Sequence, residues 1–351
     1  MSAPNDAPSG APVTVPAAGT VQVTEEQQIA ADDEATDDAA SDIGSSIASS
    51  TTSLAESIFN FRLENGRTYH RYKEGQYSYP NDERESDRLD LQHHQFLLSL
   101  HGKLGLAPPN DEDFKVERVL DVGTGTGIWA IDFGELHPEA EILGMDLSPP
   151  MAQPPPNVRF EVDDIEEPWL YSRPFDYIHC RMMTSSLSDW RQFIQRSYDN
   201  LTPGGYLELQ EIDLMPKCDD GTLKPDAAMV RCFALLGEAA NIVGRPFQDI
   251  PGLADIMREI GFVDIHIKTV KWPSNTWPKD NHHKLLGAWS NENFLRGIEA
   301  WTLAPLTRAL GWKRAEVDVF LIDVRNEIKD RSIHAWWPCT ALYGKKPEAE
   351  A

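Results

Sequence analysis

The sequence predicts an α/β fold: a seven-stranded, mostly parallel sheet with helices on both faces, preceded by a helical N-terminal arm and carrying helical insertions that form a lid. Three observations predict it. An apolar strand, Val119-Leu120-Asp121-Val122, runs into glycines at the alternate positions 123, 125 and 127, and a helical pattern follows. The next strand, Glu141–Asp146, closes on an acid 19 residues beyond Gly127. Strand and helix patterns then keep alternating, and strands joined through helices run parallel.

Taken in order, residues 1–60 are rich in Ala, Ser, Thr, Pro and Asp, contain no Lys or Arg, and lack periodic hydrophobicity. They are expected to be a disordered acidic tail, either an interaction segment or a dispensable solvated extension. Residues 61–115 form the arm: Tyr69-His70-Arg71-Tyr72-Lys73 and Tyr77 are followed by Leu89, Phe96, Leu97, Leu100 and Leu104 at helical spacing. Residues 116–347 hold the α/β domain. Beyond the first two strands, Val158–Val162 reads as the third and ends in Asp163-Asp164-Ile165. Phe175–Cys180 reads as the fourth and Gly205–Glu211 as the fifth. Trp190, Phe193, Ile194, Tyr198 and Leu201 mark the intervening helix, closed by the turn Pro203-Gly204-Gly205. Leu253, Ile256, Met257 and Ile260 give a helix face ended by Gly261, before strands at Val263–Val270 and His334–Tyr343. Residues 215–248 and 272–332 are insertions, the second with two helical patterns split at Gly311-Trp312. Connections longer than about 15 residues usually carry function or structure of their own, so both are expected to form a lid over the substrate side of the sheet.

With 351 residues and 41% hydrophobic content, the chain can bury a full core. Its net charge of −24 argues against nucleic acid as partner, since gripping phosphates needs clustered Lys and Arg. No stretch reaches the roughly 18 apolar residues of a membrane span, and Met1-Ser2-Ala3-Pro4-Asn5-Asp6 lacks the regions of a signal peptide, so an intracellular, cytoplasmic location is expected. Cys180, Cys218, Cys232 and Cys339 form no Cys-x-x-Cys pair, and His93-His94 and His282-His283 have no ligand spacing. No metal site is therefore expected.

The glycine loop carries the chemistry. Without Cβ atoms, Gly123, Gly125 and Gly127 can take positive φ and let the backbone close on a ligand, while the helix opening there offers free N–H groups. Asp146 falls where a nucleotide-binding, Rossmann-like unit places the carboxylate that takes ribose hydroxyls. The spacing is Gly-x-Gly-x-Gly rather than the dinucleotide pattern, and Asp121 precedes it. A carboxylate there would repel a pyrophosphate and suit an ammonium group, which favours S-adenosyl-L-methionine over NAD and leaves an NAD-linked oxidoreductase as a minor alternative.

These residues resemble the class I S-adenosylmethionine-dependent methyltransferases, through Asp121 to Gly127, Asp146, Asp164-Ile165 and Pro203-Gly204-Gly205. More narrowly, residues 60–347 resemble the LaeA-like methyltransferases of filamentous fungi. That likeness rests on Arg67-Thr68-Tyr69-His70, Pro80-Asn81-Asp82-Glu83, Asp87-Arg88-Leu89-Asp90, Gln92-His93, Asp189-Trp190 and the ending Gly344-Lys345-Lys346-Pro347. The resemblance implies that Gly123, Thr124, Gly125 and Gly127 pack against the methionine portion of the cofactor, with Asp121 near its ammonium group. Asp146 would take both ribose hydroxyls, with Leu147 beside it. Asp164, or else Asp163, would accept from the adenine amino group, with Ile165 alongside; a turn or cap is the other reading of the Asp pair. Arg181 borders the transferable methyl and would hold the cofactor carboxylate, an acidic substrate, or a neighbouring acid. Tyr69, Arg71 and Tyr72 would either cover the sulfonium or pack the arm.

Methyl transfer from a sulfonium is an in-line displacement with an activated leaving group, so the protein must chiefly align the acceptor and exclude water. If the acceptor is a hydroxyl, His179, Glu211 and Asp213 are the candidate bases. Two functions compete: transfer to a small secondary metabolite, in a pocket drawn from Trp272, Trp277, Trp301, Trp312, Trp336 and Trp337 unless these are core; or a LaeA-like regulator acting through a protein partner, which would place it in the nucleus.

Overall fold

A computed structural model describes residues 21–32, 61–69, 79–150 and 152–349. The elements in chain order are β1 (Gln22–Glu25), β2 (Arg62–Glu64), β3 (Arg67–Tyr69), α1 (Glu83–Ser99), β4 (Arg118–Val122), α2 (Ile128–Leu136), β5 (Glu141–Asp146), β6 (Val158–Val162), β7 (Phe175–Arg181), α3 (Trp190–Asn200), β8 (Leu201–Ile212), α4 (Ala228–Ile242), α5 (Ile250–Ile260), β9 (Val263–Pro273), α6 (Asn281–Arg308), α7 (Arg314–Lys329) and β10 (Trp336–Lys345).

The main sheet runs β1-β9-β10-β8-β7-β4-β5-β6, with β10 antiparallel to both neighbours and every other pairing parallel. β4 is central, with β5 on one side and β7 on the other. The chain reverses its winding there, which opens a crevice at the carboxyl ends of these strands. β4 is buried throughout, as a central parallel strand covered on both faces must be. One core joins α3 and α5 to the sheet around Leu207, Leu209, Phe193 and Met257. Another sets Trp129 and Phe133 of α2 against Val119, Ile142 and Tyr177.

Eight strands form this sheet rather than the seven expected. The extra one is β1, inside the segment expected to be disordered. Gln22–Glu25 pairs in parallel with His266–Thr269, and Ala31 bridges Pro278. All four β1 side chains are exposed, so the strand is held through its backbone and through Glu26 and Asp32, which reach His283 and Lys284. A segment anchored this way shows no apolar periodicity, and for residues 21–32 the expectation of disorder is corrected. Residues 1–20 and 33–60 lie outside the described residues.

The insertions are helical, as the two patterns around Gly311-Trp312 foretold. α4, α6 and α7 join Phe96 of α1 in a third core containing Trp272 and Trp337. Asp82 caps α1 by accepting the Glu85 N–H at 3.1 Å, and Asp280 caps α6 by accepting the His283 N–H at 2.9 Å. β2 and β3 make a hairpin tied to this layer by Glu64 to Arg308 at 2.8 Å. Tyr69 is buried beneath Arg308, 4.7 Å from its ring, in the packing of the arm. Arg71, Tyr72 and Tyr77 lie outside the described residues.

Candidate functional site

Two cavities adjoin at the carboxyl ends of the central strands. The first, about 560 Å³, is lined by Gly123, Met145, Asp146, Leu147, Asp163, Asp164, Ile165, Glu166, Met183, Ser186 and Arg245. The glycine loop reaches it through Gly123. Gly123, Gly125 and Gly127 have φ of 68°, 59° and 83°, so all three need the left-handed freedom expected of them. Space matters too: a Cβ on Gly123 would strike the Met183 sulfur, and one on Gly127 would strike the Phe160 ring. The Met145 carbonyl fixes the turn by accepting the N–H groups of Gly123 and Thr124 at 2.9 and 3.0 Å.

Of the residues singled out from sequence, Gly123, Asp146, Leu147, Asp163, Asp164 and Ile165 line this cavity. Asp146 accepts from Gly125 N–H at 2.9 Å and from Ser148 N–H at 3.1 Å, while burial pushes its carboxyl up to about 6. Asp163 is exposed and accepts the Asp164 N–H; Asp164 is buried and accepts the Glu166 N–H at 2.9 Å. The turn reading of this Asp pair and its place on the cavity wall therefore hold together.

Asp121, Thr124, Gly125, Gly127 and Arg181 stand behind the lining. Asp121 is buried, and both oxygens are engaged: Oδ1 with His179 Nδ1 at 2.7 Å and Oδ2 with the Thr124 hydroxyl at 2.5 Å. His179 in turn stacks on Trp129 at 3.7 Å between ring centroids. The Arg181 guanidinium donates to His93 Nδ1 at 3.2 Å and lies 4.9 Å over Phe96, and burial lowers its pKa to about 10. Since His93 Nδ1 accepts there, its Nε2–H donates to Asp132 at 2.8 Å. A salt bridge from Arg181 to a neighbouring acid, one of the readings from sequence, is replaced by this histidine relay.

Sequence reasoning missed Met145, Glu166, Met183, Ser186 and Arg245. Met183 and Ser186 follow directly on the fourth strand, a position that signals a site. Arg245 comes from the first insertion; it donates to the Ser186 carbonyl and to Glu166 at 2.6 Å, closing the rim.

The second cavity, about 850 Å³, lies under the helical insertions. Trp272, Trp301 and Trp337 line it, joined by Phe233, Phe247 and Phe294. Trp277, Trp312 and Trp336 do not; Trp277, for one, is a buried core residue whose Nε1 donates to the Ala335 carbonyl. The cavities share the segment 182–184, with Met183 on the first and Met182 and Thr184 on the second. Glu211 holds that segment. Fully buried, it accepts the N–H groups of Met183 and Thr184, each at 2.9 Å, yet desolvation outweighs these bonds and pushes its carboxyl up to about 8. Of the three candidate bases, Asp213 alone lines the second cavity. His179 and Glu211 are sealed behind it.

Residues 91–267 match the family described as a methyltransferase domain. The methyltransferase pytC of Aspergillus terreus is 43% identical over 300 residues, 84% of this chain and 91% of that protein. The secondary metabolism regulator laeA of Aspergillus fumigatus is 35% identical over 292 residues, 82% of this chain and 77% of that one. Among solved structures, a phosphoethanolamine N-methyltransferase of Haemonchus contortus in complex with S-adenosyl-L-methionine is similar at 17% identity and TM-score 0.43, over 66% of this chain and 49% of that one. The chain belongs to the S-adenosylmethionine-dependent methyltransferases, among their LaeA-like members.

Proposed function

We propose that the chain transfers the methyl group of S-adenosyl-L-methionine to a small molecule, with the cofactor in the first cavity and the acceptor in the second. The observation that carries this reading is the shared wall at Met182–Thr184, which would set an acceptor against the methyl end of a cofactor seated on the glycine loop. The first cavity fits such a cofactor: Gly123, with no side chain and in the left-handed region, leaves its backbone on the lining, and Asp146 lines the same cavity. Asp146 takes the ribose hydroxyls, Leu147 and Ile165 face the adenine, and Asp164 or Asp163 accepts from its amino group. Gly123 admits the methionine portion. Thr124, Gly125 and Gly127 shape the loop, Asp121 supplies the negative charge beneath it that suits an ammonium group, and Arg181 supplies positive charge for the carboxylate.

The cofactor supplies a methyl already activated on a sulfonium. The protein's residues then have to align the acceptor and keep water out, and the helical layer over the second cavity does both. Asp213 is placed to take the proton of an acceptor hydroxyl.

The test is incubation of the pure protein with cofactor labelled on the methyl and an extract of small molecules and proteins. Label in small molecules supports the reading. Label in protein alone supports a second reading, favoured by relatives that carry the name secondary metabolism regulator, in which the chain acts with a protein partner, in the nucleus rather than the cytoplasm. Among the described residues no helix is long and apolar enough to cross a membrane.

A further inference from the structure

We propose that the second cavity takes a flat, uncharged aromatic molecule bearing a hydroxyl or carbonyl group. This rests on the assignment of that cavity to the methyl acceptor. Three features of the wall carry it, beginning with shape. The rings of Phe294 and Trp337 lie 4.2 Å apart, those of Phe233 and Trp337 5.1 Å, and those of Phe294 and Trp301 5.8 Å at 86°. Rings packed in this way hold one another in place, so the aromatic surface is formed before a ligand arrives.

The second feature is charge. Glu85 and Arg88 line the cavity at 5% and 4% exposure, and each is committed to the other. Arg88 Nε and Nη2 donate to Glu85 Oε1 at 3.0 and 2.8 Å, while Nη1 donates to Asn293 Oδ1 at 2.7 Å. The guanidinium also sits 5.2 Å from the centre of the Trp301 ring. The remaining carboxyl among the described lining residues, Asp213, faces Lys217 at 3.4 Å. A phosphate or sulfonate would find Arg88, the one cation among the described lining residues, already engaged and would meet two carboxylates. An ammonium would have to compete with Arg88 and Lys217 for theirs. A charge brought out of water without a partner is strongly disfavoured.

The third feature is Thr184. It is 5% exposed on the cavity wall, its N–H is taken by Glu211, and its hydroxyl has no hydrogen-bond partner among the described residues. A buried hydroxyl left unpaired is costly, and a ligand hydroxyl or carbonyl reaching it would relieve that cost.

Three of the ten tryptophans line the cavity, which supplies a readout independent of turnover. Tryptophan emission of the full chain is titrated with 2-naphthol, naphthalene, naphthalene-2-sulfonate, the 2-naphthylmethylammonium ion and 1-decanol, while S-adenosylhomocysteine affinity is measured by calorimetry in parallel. We expect 2-naphthol to bind about tenfold tighter than naphthalene and at least tenfold tighter than the two ions and the alkanol. Thr184→Val should erase the advantage of 2-naphthol over naphthalene with S-adenosylhomocysteine affinity intact, and Trp301→Phe should remove much of the quenching. The proposal is overturned if either ion or decanol equals 2-naphthol, if no aromatic binds a protein that binds S-adenosylhomocysteine, or if Thr184→Val leaves the preference unchanged. Loss of S-adenosylhomocysteine binding in the unaltered chain would instead overturn the cofactor assignment, while the aromatic titration still reports on this cavity.

Discussion

Cofactor affinity should climb with pH between 5 and 8 because of one carboxyl. Asp146 accepts N–H groups from Gly125 and Ser148, and its pKa is nonetheless raised to about 6 by burial beside the glycine loop. Two ribose hydroxyls donate to a carboxylate better than to a carboxylic acid. With a pKa of about 6, roughly one site in eleven is ionised at pH 5 and nearly all are at pH 8, so affinity for S-adenosylhomocysteine should differ about tenfold, or about 1.4 kcal/mol. Stability of the ligand-free protein moves the other way. A carboxyl whose pKa is higher folded than unfolded contributes stability below its ordinary value near 4, and that contribution is lost as pH rises through about 6. The perturbation is Asp146→Asn, which keeps the shape and removes the titration. Calorimetry at half-unit steps should give a slope in the unaltered protein and a flat line in the variant. The variant should also bind about 10- to 100-fold more weakly at pH 8, the loss of a charge-assisted hydrogen bond. Survival of the slope in Asp146→Asn would refute the reasoning and move the titrating group elsewhere.

Other perturbations separate the parts of the site. The stability of Glu211→Gln relative to the unaltered chain should rise by on the order of 4 kcal/mol from pH 5 to 8.5 in urea titrations, on top of a pH-independent loss where the amide NH2 faces one of the two N–H groups. The buried carboxyl, raised to about 8, contributes its stability at low pH and loses it through that range. Gly127→Ala should destabilise by about 2 kcal/mol or more in the same assay, since φ is 83° and the new methyl meets the Phe160 ring. Removing residues 1–32 should cost only about 1 to 3 kcal/mol and leave S-adenosylhomocysteine affinity unchanged by calorimetry, because β1 is held at the sheet edge by backbone bonds and two partly exposed ion pairs.

The central sheet was legible because its signals are local. Val119–Val122 and Glu141–Asp146 are apolar runs bounded by glycine or acid, and the observed β4 and β5 agree with them to within a residue. The positive φ at Gly123, Gly125 and Gly127 was legible for the same reason, since the residue type reports the backbone need. What stayed hidden was whatever depends on partners distant in sequence. β1 has four exposed side chains and no pattern of its own; its strand character comes from the edge of β9, more than two hundred residues on. Arg245 joins the first cavity only because α4 carries the chain back over Ser186 and Glu166. The tryptophans divided three and three because helical spacing reports which face is apolar, whereas a cavity and a core are both apolar.

The wall between the cavities puts a buried carboxyl and a strained turn at one place. Met182 and Ser185 both have positive φ, 57° and 60°, which costs a residue with a Cβ about 1 to 2 kcal/mol each. Five hydrogen bonds hold that shape: Met182 N–H to the Gln210 carbonyl at 2.9 Å, the Met183 and Thr184 amides to Glu211, Ser186 N–H to the Met183 carbonyl at 2.8 Å, and Tyr79 to the Ser185 hydroxyl at 2.7 Å. The two kinks send Met183 toward the glycine loop and leave Met182 and Thr184 on the aromatic cavity. An extended run would alternate its side chains across the sheet without this tight return. In-line transfer requires an acceptor and a methyl to meet across a short gap at a fixed angle, and a thin wall set by backbone hydrogen bonds fixes that angle more rigidly than side chains would. On the proposed assignment of cofactor and acceptor to the two cavities, the desolvation that raises Glu211 is thus tied to the geometry that would align them, and glutamine, which can accept only one of the two amides, should slacken the wall.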